Sequence, residues 1–160
     1  IGPGNFYCSL LPNVLIRSCA RAIRDASARV IFVANLTNKR GHTSGWDVDD
    51  FVWELERYIG RGRVDFVVWN VRKPNKELVR KYEQQEGEGM LVDFETKRDV
   101  SRTYRVLRAD VVSDRAPSIR KSDAIAATRS FIRHDSDRLA QAIAFLVNFD
   151  AKNRVIHDVV

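Results

Sequence analysis

Val30-Ile31-Phe32-Val33-Ala34 and Val64-Asp65-Phe66-Val67-Val68-Trp69 are the stretches that decide the fold. Each is a short apolar run with little polar alternation, as in strands buried on both faces of a parallel sheet. Between them the residues spell a helix. Asp47 reads as an N-cap, Asp50 stands in the first turn where the helix dipole favours acids, and Val48, Phe51, Val52, Leu55 and Ile59 form an apolar stripe closed by Gly60. Strand, helix and strand in that order make a βαβ unit with a right-handed crossover.

Outward from this unit the alternation continues. Upstream, Pro12 suits a first helical turn, and Leu15, Cys19, Ala22, Ile23 and Ala26 fall on one helical face. Downstream, Pro74-Asn75 opens a helix through Leu78, Val79 and Tyr82 that ends before Gly87-Glu88-Gly89. Met90-Leu91-Val92 reads as a short strand, and Tyr104 to Val112 holds another centred on Val106 and Leu107, followed by a polar loop with Pro117. The last helix starts at Asp135 or Ser136 and carries Leu139, Ile143, Leu146 and Phe149 on one face. There is no internal repeat. The expectation is one α/β domain over residues 1–160, Rossmann-like, with a mostly parallel, doubly wound sheet flanked by helices. Ile1-Gly2-Pro3-Gly4-Asn5 is a glycine-rich turn of the kind that follows a strand, so the domain reads as truncated at its N-terminus.

Composition narrows the function classes. The chain has 160 residues, 44% of them hydrophobic and 30% charged, as expected for one soluble domain. No run approaches the roughly 20 apolar residues of a membrane span, and no basic-then-apolar leader opens the chain, so a cytoplasmic protein without a membrane partner is expected. Cys8 and Cys19 lack the paired spacing of a disulfide framework or zinc site, and Cys8 reads as a small packed residue. The net charge of +6 is uneven: Lys97 to Lys121 holds Lys97, Arg98, Arg102, Arg105, Arg108, Arg115, Arg120 and Lys121 against Asp99, Asp110 and Asp114. Such a segment attracts phosphate or forms a solvated basic face. Tyr104, Trp46, Trp53 and Trp69 would have to supply stacking for a nucleic-acid module, but Trp53 and Trp69 fit core or rim packing better, so nucleic acid is the weaker reading.

In an open parallel sheet, ligands bind outside the carboxyl ends of the strands, near a switch point. Gly2, Gly4, Asn5 and Ser9 stand in the first turn, Asn35, Thr37, Gly41 and Thr43 follow one strand, and Asn70 follows the next. Asparagine offers donor and acceptor without charge, which suits a base, sugar or carbonyl, while loop amides suit phosphate. The inventory fits a nucleotide or nucleotide sugar, although each residue alone could simply make a turn. Arg133 can grip a phosphate bidentately or pair with Asp135 or Asp137, and His134 beside it reads more readily as structural. His42 and His157 are weaker candidates. Asp93 and Asp110, near strand ends, could hold Mg²⁺ against a diphosphate. Asp47, Asp49 and Asp50 are explained by capping an exposed helix, and Cys8 or Ser9 has no local base to make it a nucleophile. A homo-oligomer is left open.

Four segments carry a family resemblance. Gly2 to Asn13 (GPGNFYCSLLPN) resembles the "GPGSLYTSIxPN" motif of the YvcK/CofD-like proteins, and Asn35 to Thr43 (NLTNKRGHT) resembles their "NVMTQPGET" loop. Arg108-Ala109-Asp110 is similar to their "xADL" strand, and Ile132 to Ala140 (IRHDSDRLA) is similar to "RHDPxKLA". The resemblance implies the C-terminal half of a Rossmann-like fold whose "GGGTG" phosphate loop lies outside this chain. It implies a UDP-sugar-binding regulator of carbon metabolism and cell-wall synthesis or cell shape, without turnover. The other branch implies 2-phospho-L-lactate transferase activity in deazaflavin coenzyme synthesis. It adds Asn13 to the ligand-binding set of Gly2, Gly4, Asn5, Ser9, Asn35, Thr43, Asn70, Arg133 and His134. Lys39-Arg40 stands where the family has Gln-Pro, His42 replaces a glutamate, and Ser136 replaces a proline, where it suits an N-cap better than a phosphoacceptor.

Overall fold

The computed structural model describes residues 1–94, 101–114 and 132–148. Phe149, Pro117, His157 and the basic residues Lys97, Arg98, Arg115, Arg120 and Lys121 lie outside them. Its elements are a π-helical turn (Phe6–Leu10), α1 (Leu11–Leu15), α2 (Arg17–Asp25), β1 (Ile31–Val33), α3 (Val48–Ile59), β2 (Phe66–Asn70), α4 (Lys76–Glu86), β3 (Arg105–Ala109) and α5 (Ser136–Asn148).

The strands pair in parallel in the order β1-β2-β3, with Phe32 beside Val67 and Val67 beside Val106. This α/β architecture is the one expected. Strand order among the described residues runs in sequence without a reversal. Ile1 continues the ladder on the far side of β1: its amino group donates to the Ile31 carbonyl at 2.6 Å, and its carbonyl accepts the Val33 amide at 2.9 Å. Gly2 follows at φ 81°, where an added Cβ would meet the Val33 carbonyl oxygen at 2.9 Å. Only glycine fits there.

Strand alternation divides the core. Phe32, Val67 and Val106 face α3, whose Val48, Phe51, Val52, Leu55 and Ile59 are buried together with Phe6, Leu11 and Val14. Phe66, Val68 and Leu107 face the opposite way, against Ala142 and Leu146 of α5. Helix α4 belongs to neither layer. Its Tyr82 packs on Leu36, Met90, Val112 and Ile132, which are residues beyond the strands, so this helix walls the carboxyl rim of the sheet. No helix of the described residues is long and apolar enough to cross a membrane.

Several local expectations are corrected. The helix expected from Pro12 is broken at Ile16, whose ψ of 110° leaves the helical region. The break turns Leu11, Val14 and Ala20 inward and leaves Leu15, Cys19, Ala22 and Ala26 exposed. Met90-Leu91-Val92 forms no strand; Leu91 makes a single antiparallel bridge to Thr37. Asp135, not Ser136, caps α5, its Oδ1 accepting the amides of Asp137 and Arg138 at 3.1 and 3.0 Å.

Helix α3 starts with a reciprocal capping box: Asp50 donates its amide to Asp47 Oδ1 at 2.9 Å, and Asp47 donates its own to Asp50 Oδ2 at 3.2 Å. Asp49 does something else. Rather than capping an exposed helix it is buried, receiving both guanidinium arms of Arg102 at 2.8 Å and the Tyr104 hydroxyl. Burial and this carboxylate hold the Tyr104 phenol well above its usual range. Arg102 and Tyr104 of the basic segment are thus consumed by the fold. Arg108 lies over the rings of Trp69 and Phe94, and Trp46 packs on Phe6 and Phe51. Trp53 alone of the tryptophans is half-exposed, with Arg61 over its ring.

Phe51 is fully buried and meets the rings of Phe6, Phe32 and Trp46. Phe51→Ala is expected to lower unfolding free energy by about 3–5 kcal/mol, whereas Trp53→Ala, at the rim, should lower it by only about 1 kcal/mol. Urea unfolding of both variants checks this, and equal losses would contradict the division between core and rim.

Candidate functional site

Parallel strands send their exits to one side, and there the structure opens a cleft of about 830 Å³. Three segments build it. The first turn contributes Gly4, Asn5, Cys8 and Ser9; the exit of β1 contributes Asn35, Leu36, Lys39 and Thr43; and the segment leading into α5 contributes Ile132, Arg133 and His134. Helix α4 closes one wall with Tyr82, Gln85 and Glu86. Seven of the ten expected site residues, Gly4, Asn5, Ser9, Asn35, Thr43, Arg133 and His134, therefore meet in one cavity.

The other three are elsewhere. Gly2 sits under the turn against Val33. Asn13 is exposed and donates to the Ser9 carbonyl at 2.6 Å, bracing the π-helical turn. Asn70 stitches two strand exits together: its Oδ1 accepts the Val111 amide at 3.1 Å, and its Nδ2 donates to the Arg72 carbonyl. Cys8, expected as a packed residue, is exposed on the cleft, because the π-helical turn directs Phe6 to the core instead.

Each segment is held by a bond that leaves polar capacity facing the cleft. Asn35 donates through Nδ2 to the Gly4 carbonyl at 2.9 Å, fastening the β1 exit to the first turn. Its Oδ1 is buried without a hydrogen-bond partner among the described residues. Asn5 Oδ1 accepts the Cys8 amide at 3.2 Å, so the helical turn begins at the cleft and its first amides have no intrahelical acceptor. The loop from Asn38 to Trp46 is tied at both ends: Asn38 donates to the Met90 and Trp46 carbonyls, and its own carbonyl accepts the Tyr82 hydroxyl at 2.9 Å. Thr43 Oγ1 accepts the Lys39 amide at 3.0 Å, which closes the loop's turn. The substituted Lys39 forms an ion pair with Glu86.

Arg133 and His134 are held by an antiparallel bridge between Val112 and His134, with Ser113 donating to the Arg133 carbonyl at 2.8 Å. That bridge is clasped by four charges whose pairing the sequence does not reveal. Arg72 and Arg138 both bind Asp110, at 2.7 and 2.8 Å, and both bind Asp114. Hydrogen bonds from Arg72 keep the Asp114 carboxyl below the usual carboxylate range. Nothing local in the sequence marks these partners, which are 24 to 42 residues apart. Asp110 is thereby committed to two guanidiniums, and Asp93 Oδ1 accepts the Phe94 amide at 2.7 Å. Neither lines the cleft, and the described residues hold no group of three or more His, Cys, Asp or Glu that could bind a metal.

Residues 1–112 match the family model described as 2-phospho-L-lactate transferase CofD. The chain is 36% identical over 142 residues to a putative gluconeogenesis factor of Thermotoga maritima, covering 89% of this chain and 41% of that protein. It is 28% identical over 147 residues to the gluconeogenesis factor of Bacillus subtilis, covering 92% and 42%. Among solved structures, a member of the UPF0052 family from Bacillus halodurans aligns with a TM-score of 0.70 at 21% identity, over 89% of this chain and 41% of that one. The chain thus spans about two fifths of the length of these three relatives.

His134 supplies a test of the cleft wall. Burial lowers its imidazole pKa from 6.5 to about 4, opposed by a hydrogen bond with the Ala34 backbone. The unfolded chain then binds more protons than the native one between those values, so stability rises with pH across that window and falls as pH drops from 6.5 to 4. His134→Gln should remove this part of the slope. Melting temperatures of both proteins across the window measure it, and parallel curves would mean that the imidazole is not buried in its neutral form.

Proposed function

The chain belongs to the CofD family, and on that premise we propose that its cleft binds a nucleotide sugar of the UDP-N-acetylglucosamine type in a regulatory role. The observation that carries this reading is the convergence of Gly4, Asn5, Asn35 and Arg133 on one cavity at the carboxyl rim of a parallel sheet. Amides at the start of the helical turn and the Arg133 guanidinium suit a diphosphate. The uncharged Asn35 and the Thr43 loop, which line the cleft, suit a sugar or base. A volume of about 830 Å³ is in the range of small-molecule sites.

In this reading the protein regulates carbon metabolism and cell-wall synthesis or cell shape in the cytoplasm; relatives named gluconeogenesis factor support the link to carbon metabolism. No turnover is part of it. The family description favours a second reading, transfer of a phospholactate group to a deazaflavin acceptor. Product formation from a nucleotide-activated phospholactate, acceptor and Mg²⁺ would select that reading.

Arg133→Ala should abolish or greatly weaken the thermal stabilisation produced by UDP-N-acetylglucosamine while leaving the unliganded melting temperature nearly unchanged. A panel of nucleotides and nucleotide sugars in a thermal-shift assay is the measurement. Failure of every nucleotide sugar to stabilise the protein would overturn the proposal, and an undiminished shift in the variant would remove Arg133 from it.

A further inference from the structure

Glu86 is the last residue of α4 and places a carboxylate in a cleft proposed to take an anionic ligand. Its side chain is 11% exposed and is turned onto the loop that follows β1. One carboxylate oxygen takes Lys39 Nζ in an ion pair, and the other accepts the Arg40 amide at 3.1 Å. An ammonium and a backbone N–H converging on two oxygens is also the donor set that a terminal phosphate would use. Glu86 already fills that seat. The carboxyl end of α4 adds the negative pole of its helix dipole. The same loop turn contains Thr43, whose amide donates to the Lys39 carbonyl at 2.9 Å, so this part of the cleft is where the sugar or base was assigned.

We propose that Glu86 determines specificity in the cleft: it occupies the anion seat made by Lys39 and the Arg40 amide, rejects ligands that end in phosphate, and accepts the hydroxyl donors of a neutral sugar. The inference rests on the nucleotide-sugar reading and names the end of the ligand that Glu86 meets. A terminal phosphate carries nearly two negative charges at neutral pH. To bind here it would have to displace the carboxylate from Lys39 or lie beside a like charge, and either route is unfavourable. A sugar needs neither. Its hydroxyls can donate to the remaining lone pairs of Glu86 while Lys39 stays paired.

Glu86→Gln tests it, because the amide keeps the size and an acceptor for the Arg40 N–H while losing the charge. Wild type and variant are titrated calorimetrically with UDP-N-acetylglucosamine, UDP and inorganic pyrophosphate at low and high salt. The wild type should prefer the sugar nucleotide to UDP. In the variant, UDP and pyrophosphate should each bind about ten-fold more tightly, the sugar nucleotide should not gain, and the advantage should shrink with salt. Lys39→Met in the Glu86→Gln background should erase the gain. Equal shifts for all three probes, as a base-reading or structural role would give, or no shift at all, overturn the proposal. Should the wild type bind no nucleotide, the nucleotide-sugar reading falls by itself. Pyrophosphate then decides: a gain in the variant supports the occupied seat, and no gain removes it.

Discussion

Parallel pairing of β1, β2 and β3 is the constraint on which the rest depends. It sends every strand exit to the same rim, whatever residues the exits contain. The pairing holds because both faces are covered, by α3 and the first turn against Phe32 and Val67, and by α5 against Phe66, Val68 and Leu107. Of these covers only the first turn reaches the rim. Helix α4 closes that space from the side by packing Tyr82 on Leu36 and Ile132, and the cleft is what remains between this helix and the exits.

A rim built of loops would be too loose to recognise a ligand if nothing fixed it. Here side chains bonded to backbone do that, and three asparagines carry much of it. Asn35 binds the first turn to the β1 exit, Asn38 holds its loop to Met90 and Trp46, and Asn70 joins the exits of β2 and β3. Donors are spent first. Asn35 and Asn38 are each left with a buried carbonyl oxygen lacking a partner, but only Asn35 lines the cleft. Such an atom is unfavourable, since its desolvation is not offset by a bond. Arg72 and Arg138 do the same work with charge, since their hold on Asp110 and Asp114 positions the bridge that presents Arg133 and His134.

Much of this fold was legible because its signals are local. Apolar runs, the Asp47 capping box and the Gly60 stop predict β1, α3 and β2 within a residue or two. The same periodicity misleads from Pro12 onward, because a break at Ile16 changes which face of the helix points inward, and nothing at that residue announces it. The site divides likewise. Residues just after strands could be collected on one rim by topology alone, which brought Asn5, Asn35 and Thr43 together, whereas Arg133 was singled out by its guanidinium chemistry and the family-like segment around it. Glu86, Arg72 and Asp49 could not be found this way. Each acts through a partner 38 to 53 residues distant, and sequence spacing carries no trace of such pairs.

Charge in this protein is therefore better judged by who holds it than by the net +6. Within the basic segment, Arg102 neutralises a buried aspartate and Arg108 lies on aromatic rings, while Lys39 at the cleft is matched by Glu86. An ion pair at a binding rim does not add much to stability. Its consequence is selective: a cation already satisfied by its own fold cannot attract any anion that arrives, so affinity falls to groups that meet the cleft through hydrogen bonds as well. Arg133, exposed at the same cleft, is carried on the clasped bridge. The cleft is then polar rather than simply basic, which is what the proposed discrimination between a sugar-capped diphosphate and a bare one requires.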